Sequence, residues 1–421
     1  MPDNHKQPKK DDAVLGGQSP PPVEGAVLGG IEGVKRRLWN PVVDVRRAAV
    51  EEALNYGDAG LDVVIQALKD EAKQVQRFAY RLLRPREEQK VKLALQQYTP
   101  WDLVERLAQY PGYQGMHATR FANRQVADFD PNVGITDPIG TAYAIRWTYD
   151  PEEYAIAKLA SLLEDPKAKQ LEALVFGMWS EEVYSESPPS IVNALVNAKN
   201  QLPNLKAVFI GDIPSDECEI SWIKQTDISP ILRAYPQLEI LQVRGGDGLE
   251  FCPPVRHDRL RALIVETGGL SRTTVAQICN LKLPALEHLE LWFGSEDYGG
   301  DCWVENLSPI LDDLVFPNLT YLGLRNSQFS DEMVHAIVRS PLMNSISVLD
   351  LSMGTLSDEG AEVLLNSPVV NELDILNVSE NFLSDETIER LSQIEVQAIA
   401  NKQKEEDEDD YISSRYCSVS E

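Results

Sequence analysis

Two stretches of the chain concentrate carboxylates beside aromatic side chains. Residues 211–229 and 294–306 interrupt an otherwise regular pattern, and long loops on a rigid scaffold often carry function. Their oxygen ligands suit Ca²⁺ or Mg²⁺, but neither stretch has EF-hand spacing. We therefore assign no metal ligand and expect solvated loops, with Trp222 anchoring its loop in the core. The loop residues that we single out for a functional role are Asp212, Glu219, Trp222, Asp297, Tyr298 and Asp301.

The histidines give little support to catalysis. Of the five in the chain, none lies in a GxSxG, HExxH or comparable motif. Only His288, close to Glu290 and Trp292, has a predicted position facing solvent where a general base could act. We predict no catalytic residue, no cofactor and no enzyme, and keep a metal-dependent enzyme using the acidic loops as an alternative.

A repeat of the form L-x-x-L-x-L supplies the elements that would position these residues. Its eight copies begin at 171, 205, 238, 260, 286, 319, 346 and 373, a number of in-phase matches that indicates a repeat architecture. Alternation in each copy predicts a strand with buried Leu positions. The return segments that begin Ser-Asp-Glu at 330, 357 and 384 predict capped helices. The expected fold is an α/β leucine-rich-repeat horseshoe with parallel strands concave and helices convex, and its spacing resembles the ribonuclease-inhibitor type.

Alternate side chains of such strands are predicted to line an open concave face. Positions three, five and seven of each copy point outward, and neighbouring copies place Trp, Tyr, Arg and His there, which are common anchors of protein interfaces. Strands stack at roughly 4.8 Å, so eight of them span about 34 Å, which suits a protein partner better than a metabolite. The candidate partner-binding residues are Arg244, Glu266, His288, Glu290, Trp292, Tyr321, Arg325 and Asp350.

The rest of the chain divides by composition. We predict a disordered segment at 1–25, a helical repeat domain at 26–110, an irregular Pro/Gly-rich connector at 111–140, the leucine-rich-repeat domain at 141–400 and an acidic tail at 401–421. The end of the tail, 415–419, alternates as a short strand would, or is a recognition peptide.

The helical domain carries a repeat of 30 residues. Val45-Arg-Arg-x-Ala49 returns as Val75-Gln-Arg-x-Ala79. This pattern resembles HEAT repeats, particularly the short type of bilin-lyase-like and other cyanobacterial proteins. That resemblance implies an all-α module and, as an alternative function, chaperoning or attachment of a tetrapyrrole.

Several separate motifs match one bacterial family. They are Gly211-Asp-Ile213 with Glu219-Ile-Ser-Trp-Ile223, Arg244-Gly-Gly246, Leu286-Glu-His-Leu-Glu-Leu-Trp292, Tyr298-Gly-Gly-Asp301 and the C-terminal Arg415-Tyr-Cys-Ser-Val-Ser-Glu421. From about residue 125 to the end, the chain resembles an uncharacterised bacterial leucine-rich-repeat family, the STM-type proteins. The resemblance implies the fold and no activity.

Charge and composition exclude several function classes. The chain of 421 residues has a formal net charge of −27, which argues against partners that are nucleic acids or anionic membranes. Five scattered cysteines and the lack of an apolar leader or long apolar run predict a cytoplasmic protein. We predict a non-catalytic scaffold or adaptor that binds a protein partner on the concave face.

Overall fold

The computed structural model describes residues 30–83, 85–96, 98, 116–147, 155–180, 183–185, 189–406 and 415–419. The chain forms two compact units, Met1–Asp102 and Leu103–Glu421. The predicted disordered segment at 1–25 and residues 407–414 and 420–421 of the predicted acidic tail lie outside the described residues. None of the described helices is both long and apolar enough to cross a membrane.

The described part of the first unit is helical. Its helices are α1 Gly30–Arg37, α2 Val43–Ala53, α3 Gly57–Ala67, α4 Lys73–Leu83 and α5 Gln89–Gln96. Apolar residues at helical spacing, such as Val50, Leu61 and Val64, form its buried core. Helices α2 and α4 begin 30 residues apart. Their assignment to the HEAT type stays a prediction.

The second unit contains one twelve-stranded sheet within its described residues, with the strands in chain order. All neighbours are parallel except β1 and β2, which are antiparallel. The strands are β1 Arg120–Phe121, β2 Arg124–Asp128, β3 Thr141–Ile145, β4 Ala173–Phe176, β5 Ala207–Ile210, β6 Ile240–Arg244, β7 Ala262–Glu266, β8 His288–Gly294, β9 Tyr321–Ser327, β10 Val348–Asp350, β11 Ile375–Asn377 and β12 Gln397–Ile399.

The eight predicted repeat strands are confirmed as β4 to β11 in one common register. Their second Leu positions pair directly from strand to strand, in the order Leu174, Val208, Leu241, Leu263, Leu289, Leu322, Leu349 and Leu376. Each of these side chains is fully buried. The sequence pattern therefore fixes a parallel α/β repeat of the leucine-rich-repeat kind.

Helices return between the strands and cover one face of the sheet. They are α6 Ala155–Glu164, α7 Pro189–Asn197, α8 Ser229–Ala234, α9 Arg272–Asn280, α10 Ser308–Leu311, α11 Ser330–Ile337, α12 Asp358–Leu365 and α13 Asp385–Ser392. Their apolar sides and the inward Leu positions form one continuous core. Burial of the two apolar surfaces against each other stabilises each repeat only when its neighbours are present.

The predicted serine caps form in two of the three repeats. Ser357 and Ser384 accept hydrogen bonds from backbone N–H groups at the starts of α12 and α13. Ser330 lies inside α11, where its hydroxyl donates to the Ser327 carbonyl instead. Successive repeats are also linked, because Asp331 accepts from the Ser357 backbone N–H at 2.8 Å and hydroxyl at 2.7 Å. Asp358 likewise accepts from the Ser384 N–H at 2.9 Å.

Both ends of the sheet differ from the prediction. The stretch 111–140, expected to be an irregular connector, supplies β1 and β2, so the sheet begins within it. The last strand, β12, lacks the L-x-x-L-x-L pattern and was not predicted. The two added elements pair with the exposed edges that a repeat array must cover.

Candidate functional site

The face of the sheet opposite to the helices carries positions three, five and seven of each repeat, and we call it the strip face. Over β3 to β5, and at Ile240 of β6 and Ala262 and Ile264 of β7, it is apolar and covered. Ala118, Phe121 and Ala122 pack there in a buried cluster, with the Phe121 ring 5.9 Å from the ring of Phe209. The expectation of an open strip is wrong for this part, because a segment just before β2 lies over it.

Polar side chains occupy the strip face from β6 to β10. We call the following eight residues the strip cluster: Arg244, Glu266, His288, Glu290, Trp292, Tyr321, Arg325 and Asp350. The register of the strands places Arg244 beside Glu266, Trp292 beside Arg325, and His288 beside Tyr321. All eight predicted partner-binding residues therefore lie on one face of five adjacent strands.

The Glu290 carboxylate is the centre of the strip cluster. Its Oε1 accepts hydrogen bonds from Trp292 Nε1 and Arg325 Nη1, each at 2.7 Å. Its Oε2 lies 3.3 Å from His288 Nε2 and 3.3 Å from the Tyr321 hydroxyl. Burial favours the neutral acid, but the Arg325 charge and the hydrogen bonds from His288 and Trp292 outweigh it and hold the Glu290 pKa well below its usual range. Glu290 is thus an ionised acceptor that orients both Trp292 and Arg325.

Tyr321 links the cluster to β10. Its hydroxyl donates to Asp350 Oδ2 at 2.9 Å, and its ring stacks on His288 with the centroids 3.7 Å apart. Burial, together with the charges of Asp350 and Glu290, raises the Tyr321 pKa well above its usual value, so the hydroxyl keeps its proton. Gly323 makes this arrangement possible, because a Cβ at this position would lie 3.0 Å from both Glu290 Cγ and Tyr321 Cε1.

Arg244 and Glu266 form the other end of the cluster. Arg244 Nε donates to Glu266 Oε2 at 2.7 Å, while Gln242 Nε2 donates to Oε1 at 2.6 Å. Burial raises the Glu266 pKa, against the opposing effect of the Arg244 charge. Arg244 also lies over the Phe209 ring at 5.8 Å, and so joins the polar cluster to the covered apolar half.

Burial within the cluster is greater than predicted. Glu266, His288, Glu290, Tyr321 and Asp350 are buried, although the outward strand positions were expected to face solvent. Long side chains on strands roughly 4.8 Å apart fill the space above one another. Arg244, Trp292 and Arg325 keep partial exposure, with side-chain values of 12% for Arg244 and 22% for Arg325. Whether any of the eight binds a partner stays a prediction.

The exposed position predicted for His288 is wrong. The residue is 1% exposed, its Nε2 faces Glu290, and its buried Nδ1 has no hydrogen-bond partner among the residues that the structure describes. A general base must reach the proton that it removes, and this ring is enclosed by its neighbours. Within the described residues, no three His, Cys, Asp or Glu side chains converge as metal ligands.

The first acidic loop is held by a buried ion pair. Asp212 is fully buried, with its Oδ2 2.5 Å from Arg146 Nη2 and its Oδ1 accepting from the Ala118 backbone N–H at 3.0 Å. It therefore fastens the segment that covers the strip face. Glu219 is partly exposed beside the short 3-10 helix Ile220–Trp222. The predicted core anchor Trp222 is wrong, since it is 59% exposed and Ile220 is buried instead.

The second acidic loop is more open. Asp297 is exposed, Tyr298 is half-buried, and Asp301 accepts from the Arg272 backbone N–H at 2.7 Å, where it caps the start of α9. A cleft of about 380 Å³ is lined mainly by residues 246–250 and 269–274, and Ser221 of the first loop and Tyr298 and Gly299 of the second also line it. Both loops thus contribute to one cleft, and metal binding by their carboxylates stays a prediction of the alternative function.

The sequence left open where residues 415–419 lie, and we call these residues the C-terminal segment. It crosses the carboxyl ends of β8 to β11, with Cys417 Sγ 3.4 Å from the Gly294 carbonyl and the Ser418 N–H donating to the Met353 carbonyl at 2.9 Å. Val419 is buried with Ile220 and Met353, and Trp292 packs against them. The alternation of 415–419 was the available signal, but the segment adds no strand to the sheet.

Comparison with known proteins supports the fold. No family model matches the chain, and no curated protein matches it in sequence. A crystal structure of a protein from Bacteroides fragilis is 30% identical, with a TM-score of 0.57 over 65% of this chain and 76% of that one. The chain belongs to the same family as this Bacteroides fragilis protein. An internalin from Listeria monocytogenes aligns over 62% of this chain and 65% of its own, with 14% identity and a TM-score of 0.31.

The match to the Bacteroides fragilis protein supports the fold described above, and it assigns no activity to the chain. The finer resemblance to STM-type proteins stays a prediction, as does the HEAT resemblance of the first unit.

Proposed function

We propose that this chain is a non-catalytic scaffold that binds a partner protein on the strip face, with Trp292 and Arg325 as its anchors. One observation carries the proposal: a single oxygen of buried Glu290 binds both side chains at 2.7 Å. Arg325 also lies over the Trp292 ring at 5.1 Å. Trp and Arg held in place before binding lose little side-chain entropy on association, which is how binding hot spots gain affinity.

The surrounding charge favours a basic partner surface. Residues 121–421 hold 21 Lys and Arg against 50 Asp and Glu. In the strip cluster, the three carboxylates Glu266, Glu290 and Asp350 outnumber the two guanidinium groups. An excess of negative charge attracts a positive surface and speeds its encounter.

The test is a matched pair of tryptophan variants. A partner is first identified by affinity purification from the native host, and its affinity is then measured for the unmodified chain and for Trp292→Ala. We expect about a 30-fold loss, the size of a typical hot-spot truncation. Trp303→Ala is the control, because Trp303 is also partly exposed but packs beside Phe329 of the helix-covered core. Equal affinity of Trp292→Ala and the unmodified chain would refute the proposal.

The finer expectations belong to the same proposal. We propose ribonuclease-inhibitor-type curvature with the strip face concave, a HEAT-like first unit that offers a second contact surface, and action in the cytoplasm without nucleic acid or membrane. The bilin-lyase-like and metal-dependent alternatives stay untested, and a visible absorbance band on mixing with a bilin, or a melting shift with Mg²⁺ or Ca²⁺, would favour them.

A further inference from the structure

The ends of strands β8 to β11 form a ledge on which the C-terminal segment rests. We propose that this ledge is a recognition site for an extended peptide, that residues 415–419 occupy it in cis, and that a partner presenting a segment of the same chemistry displaces them. This inference rests on the proposed protein-binding function and names the partner's binding element. The ledge is defined here by Gly294, Asn326, Asp331, Met353 and Thr355.

The ledge holds the backbone of the peptide. Asn326 is fully buried, and its side chain contacts both polar backbone groups of Val419: Oδ1 accepts from the N–H at 2.9 Å and Nδ2 donates to the carbonyl. The Met353 carbonyl accepts from the Ser418 N–H at 2.9 Å. A buried amide must satisfy its donors and acceptors, so a side chain that pairs with a peptide backbone in this way is placed to bind extended chain.

Alternate side chains of the segment enter distinct subsites. Arg415 Nη1 donates to Asp331 Oδ2 at 2.8 Å and to the Thr355 carbonyl at 2.7 Å. Cys417 is buried beside Gly294, and Val419 is buried beside Ile220 and Met353. Proteins that recognise an extended peptide typically bind every second side chain in a pocket. The backbone hydrogen bonds then give affinity and the pockets give specificity.

The other side of the segment is held by Lys404. Its ammonium donates to the Tyr416 carbonyl at 2.5 Å and to the Gly354 carbonyl at 2.8 Å, and it lies 4.6 Å from the centre of the Phe382 ring. Tyr416 itself is half exposed, with its ring edge-on to Phe382 at 5.5 Å. The segment is therefore clamped from two sides while one of its large side chains remains open to solvent.

The three subsites predict which residues the partner's peptide carries. The peptide is extended and carries, at alternate positions, a basic residue that pairs with Asp331, a small residue at Gly294 and a branched apolar residue beside Met353. A basic residue in the first subsite agrees with the acidic surface of this unit. A partner with a Lys or Arg four residues before a Val or Ile fits the ledge.

Thiol labelling measures whether the segment leaves the ledge. Cys417 is 4% exposed in its docked position, so its alkylation by iodoacetamide, followed by mass spectrometry on the full chain, reports release. Val419→Asp, which places a charge among Ile220, Met353 and Trp292, is expected to speed Cys417 labelling about tenfold or more, because a buried unpaired carboxylate is unfavourable. Val419→Ile is the matched control and keeps the slow rate. Equal labelling of the Asp variant and the unmodified chain would overturn the inference.

Peptide binding completes the test. The probe is a fluorescent peptide with the sequence of residues 415–421 in which serine replaces the cysteine, titrated into the full-length Val419→Asp chain. The unmodified chain should bind it at least about tenfold more weakly, because a tethered segment competes at millimolar effective concentration. Adding Asn326→Asp to the Val419→Asp chain removes the donor to the backbone carbonyl and should abolish binding, while its thermal melting reports that the unit still folds.

Each remaining outcome has one meaning. No binding of the peptide to Val419→Asp at 1 mM, roughly the effective concentration of a tethered segment, would overturn the inference even where Trp292→Ala loses its partner, so the proposed function would stand alone. Protection of Cys417 that increases with protein concentration would assign the ledge to the segment of a second copy, and would also overturn displacement by a different partner. In a third outcome, the peptide binds the Val419→Asp chain while Trp292→Ala leaves the affinity for the partner unchanged. This result would support the ledge as a peptide site and refute the role of Trp292 as an anchor on the strip face.

Discussion

Replacing Glu290 with Gln tests whether the strip cluster is organised around one ionised carboxylate. The substitution keeps the shape and one acceptor for Trp292 but removes the charge that faces Arg325 at 2.7 Å. Removing one partner of a buried ion pair typically costs 3–5 kcal/mol. We expect about 3 kcal/mol, the lower limit of that range, because the Asp350 carboxylate remains 3.6 Å from Arg325 Nε. Urea unfolding followed by tryptophan fluorescence measures the difference in free energy of unfolding.

The pH dependence of that difference separates charge from packing. The pKa of Glu290 is lower in the folded chain than its ordinary value of 4.5, so its stabilising contribution is complete above that pH. As the pH falls towards the folded pKa, the unfolded chain takes up the proton first, and the contribution decreases by about 1.4 kcal/mol per pH unit. Between pH 4.5 and pH 3.5 the unfolded carboxyl passes from half protonated to mostly protonated, so the full slope is not yet reached over this interval. The gap between the unmodified chain and Glu290→Gln should therefore close by about 1 kcal/mol.

A matched control removes a similar pair at a more open position. Glu287 forms an ion pair with Arg261 at 2.9 Å, with side-chain exposures of 21% and 24%. Glu287→Gln should cost about 1 kcal/mol or less, as partly solvated pairs do. An equal loss in both variants, or a Glu290→Gln loss that does not change with pH, would refute the view that Glu290 is held ionised by Arg325.

Three further predictions test other parts of the second unit. Tyr321→Phe loses the 2.9 Å hydrogen bond to Asp350 and should reduce the free energy of urea unfolding by about 1 kcal/mol, since a typical hydrogen bond contributes that amount; no change would mean that the bond adds nothing. Asp212→Asn removes the buried one of the two carboxylates that pair with Arg146, and leaves the mostly exposed Asp128 at 2.6 Å. We expect a loss of about 3 kcal/mol in the same assay, and a loss below 1 kcal/mol would contradict a contribution from the buried pair. Of the five cysteines, four are buried, and burial raises their pKa values to about 11 or 12. Only the exposed Cys252 should therefore react quickly with Ellman's reagent in the native chain. A second fast-reacting thiol would argue against the described packing.

The repeat strands were predictable because their signal is local and repeated. A Leu-rich strand needs only alternation within six residues, and eight copies in phase specify the neighbours of each strand. The caps of α12 and α13 were predictable for the same reason. Ser330 failed as a cap because its hydroxyl contacts the Ser327 carbonyl and the Thr355 N–H from the next repeat, which a local pattern does not contain.

The composition of the strip cluster was predictable, but its burial was not. The alternation of side chains along a strand predicts on which face of the sheet Glu290 or Tyr321 lies. The exposure of these side chains depends instead on what covers that face. The covering parts lie far away in sequence: Phe121 packs over Phe209, and Val419 packs near Trp292. Contacts between residues so distant along the chain leave no periodic trace in one sequence. The same reason explains why Trp222 was expected in the core and is found exposed.

The links between aspartate and serine of successive repeats bear on how such a protein can grow during evolution. Asp331 binds Ser357, Asp358 binds Ser384, and the last three L-x-x-L-x-L copies follow one another at 27 residues. An in-frame duplication of one 27-residue unit would carry both the donor and the acceptor of this link, and the joint on each side would be restored without a compensating mutation. The region from β9 to β11 is thus the part of the chain where gene duplication can lengthen the protein at low cost, whereas the unevenly spaced repeats before it would be mismatched.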